Sequence, residues 1–160
     1  MSDSVIQRAE LLIQQKRFND AEKLLQGLLQ NDPNDVHVLM LLSEVNLQKE
    51  NFEKAEKLID LAIGLAPGYA LLFYIKARIH LQKEKYDDAE SALNQALTID
   101  PADADYYSLL ANIKLIRKQY DTALELANKS LSLEPDNLLG LNTRSSALLK
   151  LNKKEESFQT

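Results

Sequence analysis

Apolar positions between Ala70 and Asp103 form two helical stripes followed by a stop. Each stripe places apolar or weakly polar residues at i, i+4, i+7 and i+8, a spacing that puts them on one face of an α-helix. The first stripe consists of Phe73, Ala77, His80 and Leu81, and the second of Ala89, Leu93, Ala96 and Leu97. Pro101 ends the second helix. One helix pair cannot cover both of its stripes, so the pattern predicts that neighbouring segments repeat it.

The prolines show that the repeat exists. All four stand 34 residues apart, at Pro33, Pro67, Pro101 and Pro135. Proline lacks a backbone N–H and disfavours the α conformation of the residue before it, so each proline predicts the end of a helix. After three of the prolines, the pairs 34–35, 102–103 and 136–137 offer a side chain that can cap the next helix, whereas Gly68 follows the second proline.

Three columns of residues recur in phase with the prolines. An alanine column in the second helix of each unit holds Ala21, Ala55, Ala89 and Ala123. An aromatic column holds Phe18, Phe52, Tyr86 and Tyr120, and a column of small residues in the first helix holds Ala9, Ser43, Ala77, Ala111 and Ser145. Two helices approach closely only where side chains are small, and the aromatic ring then covers the turn between them.

The pattern therefore predicts an all-α protein, a single domain over residues 1–160 made of stacked antiparallel helix pairs. The predicted units are 2–35, 36–69, 70–103, 104–137 and a partial fifth, 138–160. This pattern resembles the tetratricopeptide repeat, carried in its clearest unit by Phe73, Ala77, Tyr86, Ala89, Leu93, Ala96 and Pro101. The resemblance implies a right-handed superhelical α-solenoid with a concave groove, and a non-catalytic scaffold that binds a protein, as a peptide or a partner helix.

The groove positions of that family carry over onto the first helix of each unit. The resemblance implies groove residues at Ile6, Glu10, Gln14, Met40, Glu44, Gln48, Tyr74, Arg78, Gln82, Ser108, Asn112 and Ile116. Met40 and Tyr74 are expected to form an adaptable apolar patch beside Arg78, and the glutamines to bond an extended backbone. Ordinary surface or packing between repeats is the alternative for these positions. No register reproduces the Lys, Asn and Arg clamp with which the chaperone-binding branch of the family holds acidic carboxyl termini.

Charge and composition narrow the classes of partner. Lys and Arg number 19 against 24 Asp and Glu, for a net charge of −5, and the longest basic run is a pair, so nucleic acid is not an expected partner. The absence of cysteine fits a reducing compartment. Residues 1–6 lack the basic and apolar regions of a signal peptide, and eighteen apolar residues nowhere run together, so we expect a cytoplasmic protein without a membrane segment.

No set of residues predicts chemistry. The acidic pairs 87–88 and 155–156 are adjacent in sequence and point about 100° apart on a helix, which suits solvated faces better than acid–base catalysis. His37 and His80 lie in different columns, and no spacing motif places carboxylates beside them. We therefore expect neither an enzyme nor a metal or cofactor site, and interpret His80 as a partly buried polar residue.

The carboxyl-terminal segment departs from the pattern. Residues 138–151 are predicted to form another first helix, with Leu141, Ser145 and Leu148 facing inward and a partner helix beginning near Lys153. Six leucines in these fourteen residues are too apolar for a capping helix. We expect the chain to be a fragment of a longer protein whose copies pair through Leu138 to Leu151 in isolation. A self-assembly or spacer module is accordingly the alternative to a peptide-binding scaffold.

Overall fold

The computed structural model describes residues 2–159, and side chains from 3 to 155. This part of the chain contains helices and no strands, which confirms the all-α, solenoid-like fold. The helices are α1 (Ser2–Gln14), α2 (Phe18–Asn31), α3 (Val36–Gln48), α4 (Phe52–Leu65), α5 (Ala70–Gln82), α6 (Tyr86–Ile99), α7 (Ala104–Ile116), α8 (Tyr120–Leu133) and α9 (Leu138–Gln159). No helix within residues 2–159 is long and apolar enough to cross a membrane.

Side chains cap the helices that follow three of the prolines, as predicted. The carboxylate of Asp35 accepts a hydrogen bond from the backbone N–H of Val38 at 3.0 Å, and that of Asp103 accepts from the N–H of residue 105 at 2.9 Å. The side-chain oxygen of Asn137 accepts from the N–H of Gly140 at 2.9 Å. Each bond satisfies an amide that the first turn of a helix leaves unpaired.

Each tight turn inside a helix pair contains a left-handed residue that the sequence pattern did not predict. These residues are Lys16, Glu50, Glu84 and Lys118, with φ between 56° and 62°, and they repeat with the same period as the prolines. A left-handed conformation costs a non-glycine residue about 1 to 2 kcal/mol. The packing of the two helices that the turn joins must offset this cost.

The small residues lie where the two helices of a pair meet. The alanines of the second-helix column are completely buried, and so are Ala9, Ser43, Ala77 and Ala111 of the first-helix column. In the second pair the hydroxyl of Ser43 donates to the backbone carbonyl of Ala55 at 2.8 Å. The interpretation of these two columns as a close helix contact is confirmed for the four complete units, whereas Ser145, the fifth member of the first-helix column, is exposed.

The contacts divide the chain into two compact units, residues 1–92 and 93–160, with the boundary inside α6. In the first unit α3 contacts α1, α2, α4 and α5, and two apolar clusters form its core. In the second unit α7, α8 and α9 all contact one another. A single continuous array over residues 1–160 stays a prediction.

Helix α9 corrects the prediction for the fifth unit. It is one helix of 22 residues, without the turn and the partner helix that were expected near Lys153, and Ser145 and Leu148 are exposed instead of facing inward. The side of α9 that is buried carries Gly140, Thr143 and Ala147, and the α9 helix packs on α7 and α8.

The sequence after α9's fourteenth residue explains why the turn does not form. Asn152 stands where the other units have a left-handed residue, and Lys154 stands where they have the aromatic ring that covers the turn. Asn152 tolerates the left-handed conformation at least as well as the lysines and glutamates of the other units, so the missing element is the ring. A lysine offers little apolar surface to bury over the turn. Continuing the helix keeps every backbone hydrogen bond. The side chains of residues 156–160, which belong to the predicted fifth unit, lie outside the described residues.

Candidate functional site

The predicted groove residues of the first compact unit lie on its three first helices. Helix α3 stands between α1 and α5, because it contacts both of them. These helices carry eight of the nine residues to which the prediction gives most weight; the ninth, Asn112, is half-buried on α7 in the second unit. We call the set Glu10, Gln14, Met40, Glu44, Gln48, Tyr74, Arg78 and Gln82 the first-helix face.

A bidentate ion pair joins two neighbouring repeats at the centre of this face. Nη1 of Arg78 donates to Oε2 of Glu44 at 2.7 Å, and Nη2 donates to Oε1 at 2.9 Å. Gln48 adds a third bond, from its Nε2 to the same Oε1 at 3.0 Å. The guanidinium carbon also stands 5.8 Å from the ring centroid of Tyr74, a cation–π geometry. A guanidinium group held by both a carboxylate and an aromatic ring leaves the arginine side chain few accessible rotamers, so Arg78 is fixed in place.

A second polar pair links α1 to α3. Nε2 of His37 lies 3.2 Å from Oε1 of Glu10, and both side chains are about half exposed. The prediction included Glu10 but missed His37. No local signal in the sequence indicates this pair, because its two residues stand 27 positions apart on different helices.

Met40 differs from its expected role. Its side chain is only 7% exposed and belongs to the apolar core with Leu39, Leu72 and Ile75. Met40 therefore forms the floor beneath the face and offers a ligand little surface, while Tyr74 is half-buried. The apolar centre is narrower than the sequence suggested.

The three glutamines occupy equivalent places. Gln14, Gln48 and Gln82 are the last residues of α1, α3 and α5, and all three are exposed. The side-chain amide of Gln48 donates one N–H to Glu44, and its oxygen takes no part in that hydrogen bond. The face thus presents one amide per repeat at the same end of each helix.

Ion pairs outside the face tie the second helices α2 and α4 to residues of the repeat that follows. Glu22 on α2 accepts from Lys49, the residue that ends α3, at 2.6 Å, and from Lys54 at 2.7 Å. Hydrogen bonds from Lys49 and then Lys54 lower the pKa of Glu22 from its ordinary value to about 2. One repeat on, Glu56 pairs with Lys83, which lowers the pKa of Glu56 in the same way. These pairs fix the spacing between the helices that carry the face.

His80 is buried and incompletely bonded. The residue is 5% exposed, its Nδ1 has no hydrogen-bond partner, and its Nε2 lies 4.0 Å from Oε1 of Glu56. Burial lowers the pKa of His80 below its ordinary value. His80 is thus more deeply buried than the partly buried polar residue that the sequence predicts, and its neutral imidazole is favoured.

The side chains described so far are paired charges, amides and an aromatic ring, which suits recognition better than acid–base chemistry. Among the described residues, no three histidine or acidic side chains lie close enough together to hold a metal ion.

Comparison with known proteins identifies the repeat. Models of the tetratricopeptide repeat family match residues 12–70 and 46–113, and another model of the same repeat matches residues 104–137. A search of curated proteins finds no significant match.

Solved structures show the same fold at low sequence identity. The "Crystal structure of MamA protein" aligns over 99% of this chain and 86% of its own, with 19% identity and a TM-score of 0.77. TTC0263, a thermophilic tetratricopeptide repeat protein of Thermus thermophilus, aligns over 93% and 82%, with 24% identity and a TM-score of 0.84. In the APC/C hetero-tetramer Cut9–Hcn1, the alignment spans 90% of this chain but 29% of the other, with 21% identity and a TM-score of 0.83.

Proposed function

The chain belongs to the tetratricopeptide repeat family, whose repeats generally mediate protein–protein interaction, and from this premise we propose that it is a non-catalytic scaffold that binds a peptide segment or partner helix on the first-helix face. The observation that carries the proposal is the fixed geometry of Arg78 between Glu44 and Tyr74. Arginine and tyrosine are the residue types that dominate binding energy at interfaces. Because both side chains are already held in place, binding a ligand costs less of their conformational entropy.

The amides suit an extended backbone. Packed helices lie about 8 to 10 Å apart, and an extended chain advances about 3.3 Å per residue. One glutamine per repeat would then meet every third residue of a peptide that runs across α1, α3 and α5. The side chains between those contacts are free to meet Tyr74 and the Glu10–His37 pair, which supplies selectivity.

The test compares two variants of the intact chain. Tyr74→Ala combined with Arg78→Ala removes the ring and the fork from the face, whereas Lys76→Ala is the control on the same helix, since Lys76 pairs with Asp60 away from the face. A partner recovered from the native cell is purified, and its affinity for each chain is measured. We expect the double variant to bind at least tenfold more weakly and the control to bind normally. Equal affinity of both variants would overturn the proposal.

Exposed leucines favour a second candidate, self-assembly through α9. Leu138, Leu148 and Leu149 are 76%, 43% and 54% exposed. Lys150 and Lys153 stand beside them, so two copies that pair here would bring like charges together. Pairing should therefore strengthen as salt screens that repulsion. Light scattering over a concentration series at two salt concentrations tests it, and a chain that stays monomeric in both would refute self-assembly.

A further inference from the structure

A cleft of about 380 Å³ opens on α1 and α2, away from the first-helix face. Its lining includes Arg8, Leu11, Gln15, Asp20, Lys23 and Leu24. The leucines form the floor, and Leu11 is 52% exposed. Arg17 pairs with Asp20 at 2.8 Å, whereas Arg8 and Lys23 are exposed and pair with no acidic residue in the described part of the chain. The cleft therefore combines apolar surface with two unneutralised cations.

The next repeat shows what packs on a face of this kind. One period later, the positions of Arg8 and Leu11 are held by Leu42 and Val45 on α3. Both are buried in one apolar cluster with Ala21 and Leu25 of α2. Helix α2 also reaches α4, where its Glu22 accepts from Lys54. Helix α2 thus packs against both helices of the following repeat. Helices α1 and α2 present the equivalent surface one repeat earlier.

The charge at the centre of the cleft is what distinguishes it from that internal interface. A helix that covered Arg8 would remove its guanidinium from water, which is unfavourable unless a carboxylate meets it. Lys23 adds a second cation at the rim, in a chain whose net charge is −5. A covering helix must therefore bring acidic residues as well as an apolar stripe.

We propose that the cleft binds an acidic amphipathic helix of a partner protein. The partner helix would pack on α1 and α2 in the same way as α2 packs on α3 and α4. The best register puts a carboxylate of the partner where α2 has Leu25, facing Arg8, and apolar side chains on Leu11 and Leu24. A second copy of this chain fits less well, because the open side of its α9 is flanked by Arg144, Lys150 and Lys153, which would repel the cations of the cleft.

A helix with the sequence of α2 would also fit the cleft poorly. Glu22 of α2 is held by Lys49 and Lys54, but the equivalent positions beside the cleft are Gln15 and Asp20. A helix with an acid at that point would meet Asp20 instead of a lysine. The cleft therefore favours a helix whose acidic residues lie at other positions than that of Glu22 in α2.

A designed peptide tests the proposal on the full chain. The probe is a fluorescein-labelled peptide with the sequence of residues 18–31 that carries three changes: Gly27→Ala favours the helix, Glu22→Gln removes the acid that would meet Asp20, and Leu25→Glu faces Arg8. Its counterpart is identical except that it carries Leu25→Lys. Fluorescence anisotropy measures both against the unmodified chain, against Arg8→Glu with Lys23→Glu, and against Lys57→Glu. Lys57 is the control because it is the exposed equivalent of Lys23 one repeat later.

We expect the unmodified chain and Lys57→Glu to bind the glutamate peptide about tenfold more tightly than the lysine peptide, and the double variant to reverse this order. Binding of the glutamate peptide should persist when Tyr74 and Arg78 are replaced by alanine, which separates this site from the proposed function. Equal affinities for the two peptides, or no binding of either, would overturn the proposal. Sedimentation without peptide tests whether a second copy of the chain occupies the cleft. A lower mass for the double variant than for the unmodified chain would show that it does, and would overturn the proposal.

Discussion

The hydroxyl of Ser43 donates a hydrogen bond to the backbone carbonyl of Ala55 at 2.8 Å, so a side chain of α3 reaches the backbone of α4. Such a contact exists only because position 55 carries no more than a methyl group. The alanine column is thus the condition for the helix pairs and, through them, for the spacing of the first-helix face.

Ala55→Leu should therefore destabilise the chain. The added atoms must displace α3 or α4, and we expect the free energy of unfolding to fall by about 1 to 3 kcal/mol. Urea unfolding of the variant measures it. Leu61→Ala is a suitable control, since Leu61 is a largely exposed residue of the same helix and its loss should cost little. If the two variants were equally stable, the assigned helix contact would be wrong.

The pairing of Glu22 predicts a loss of stability in acid. Its pKa is lowered from 4.5 to about 2 in the folded chain, so the folded state favours the ionised carboxylate. The stabilisation is fully present above pH 4.5 and is lost as the pH falls towards 2. Glu22→Gln should cost about 1 to 3 kcal/mol at pH 7 and much less near pH 2. Urea unfolding of both chains across this range checks it, and a difference that does not change with pH would contradict the role of the pair.

His80 predicts a separate dependence at higher pH. Burial lowers its pKa, partly opposed by Glu56 and Asp88, while Lys76 and Lys85 lower it further. The unfolded chain then binds a proton more readily than the folded chain, so stability decreases as the pH falls below about 6.5. In His80→Asn this decrease between pH 7 and pH 5 should be smaller than in the unmodified chain. Thermal melts at both pH values measure it, and identical shifts in the two chains would rule out His80 as the cause.

Two glycines should respond to substitution in opposite directions. A Cβ at Gly140 would lie 3.1 Å from Oγ of Ser130, and that hydroxyl is held by its own bond to the carbonyl of Ala104. Gly140→Val should therefore cost about 1 to 3 kcal/mol. A Cβ at Gly27 meets nothing within 4 Å, so Gly27→Ala should stabilise α2 by about 0.5 to 1 kcal/mol. Melting temperatures of the two variants measure both effects, and a Gly140→Val chain as stable as the unmodified one would show that the packing of α9 on α8 is misassigned.

Local signals explain why much of the fold follows from the sequence. The period, the helix ends and the caps depend on proline, on small residues and on Asp or Asn at fixed offsets, and each acts within a few residues of itself. The left-handed residues could not be predicted in this way, because Lys16 and Glu50 carry no local signal for φ above zero. Their conformation follows from the packing of the helices on either side.

The site was less predictable, because it depends on how one repeat sits on the next. The pairs of Glu44 with Arg78 and of Glu22 with Lys49 join residues 34 and 27 positions apart, and neither spacing lies on one helix. Family position alone places Met40 on the surface, but its neighbours Leu72 and Ile75 come from the following repeat and bury it. The single helix α9 has a related cause, since the residues that would form its partner lack the apolar column.

Site-specific cross-linking shows whether a partner lies on the first-helix face. A photoreactive amino acid replaces Gln82 at the end of α5 in one chain and Lys57 on α4 in another; both residues are exposed. The chains are irradiated in the native cell, and the cross-linked proteins are identified. We expect one partner to be cross-linked at position 82, to be lost when Tyr74 and Arg78 are replaced by alanine, and to be absent at position 57. Cross-links that form at position 57 alone, or that survive the double replacement, would contradict it.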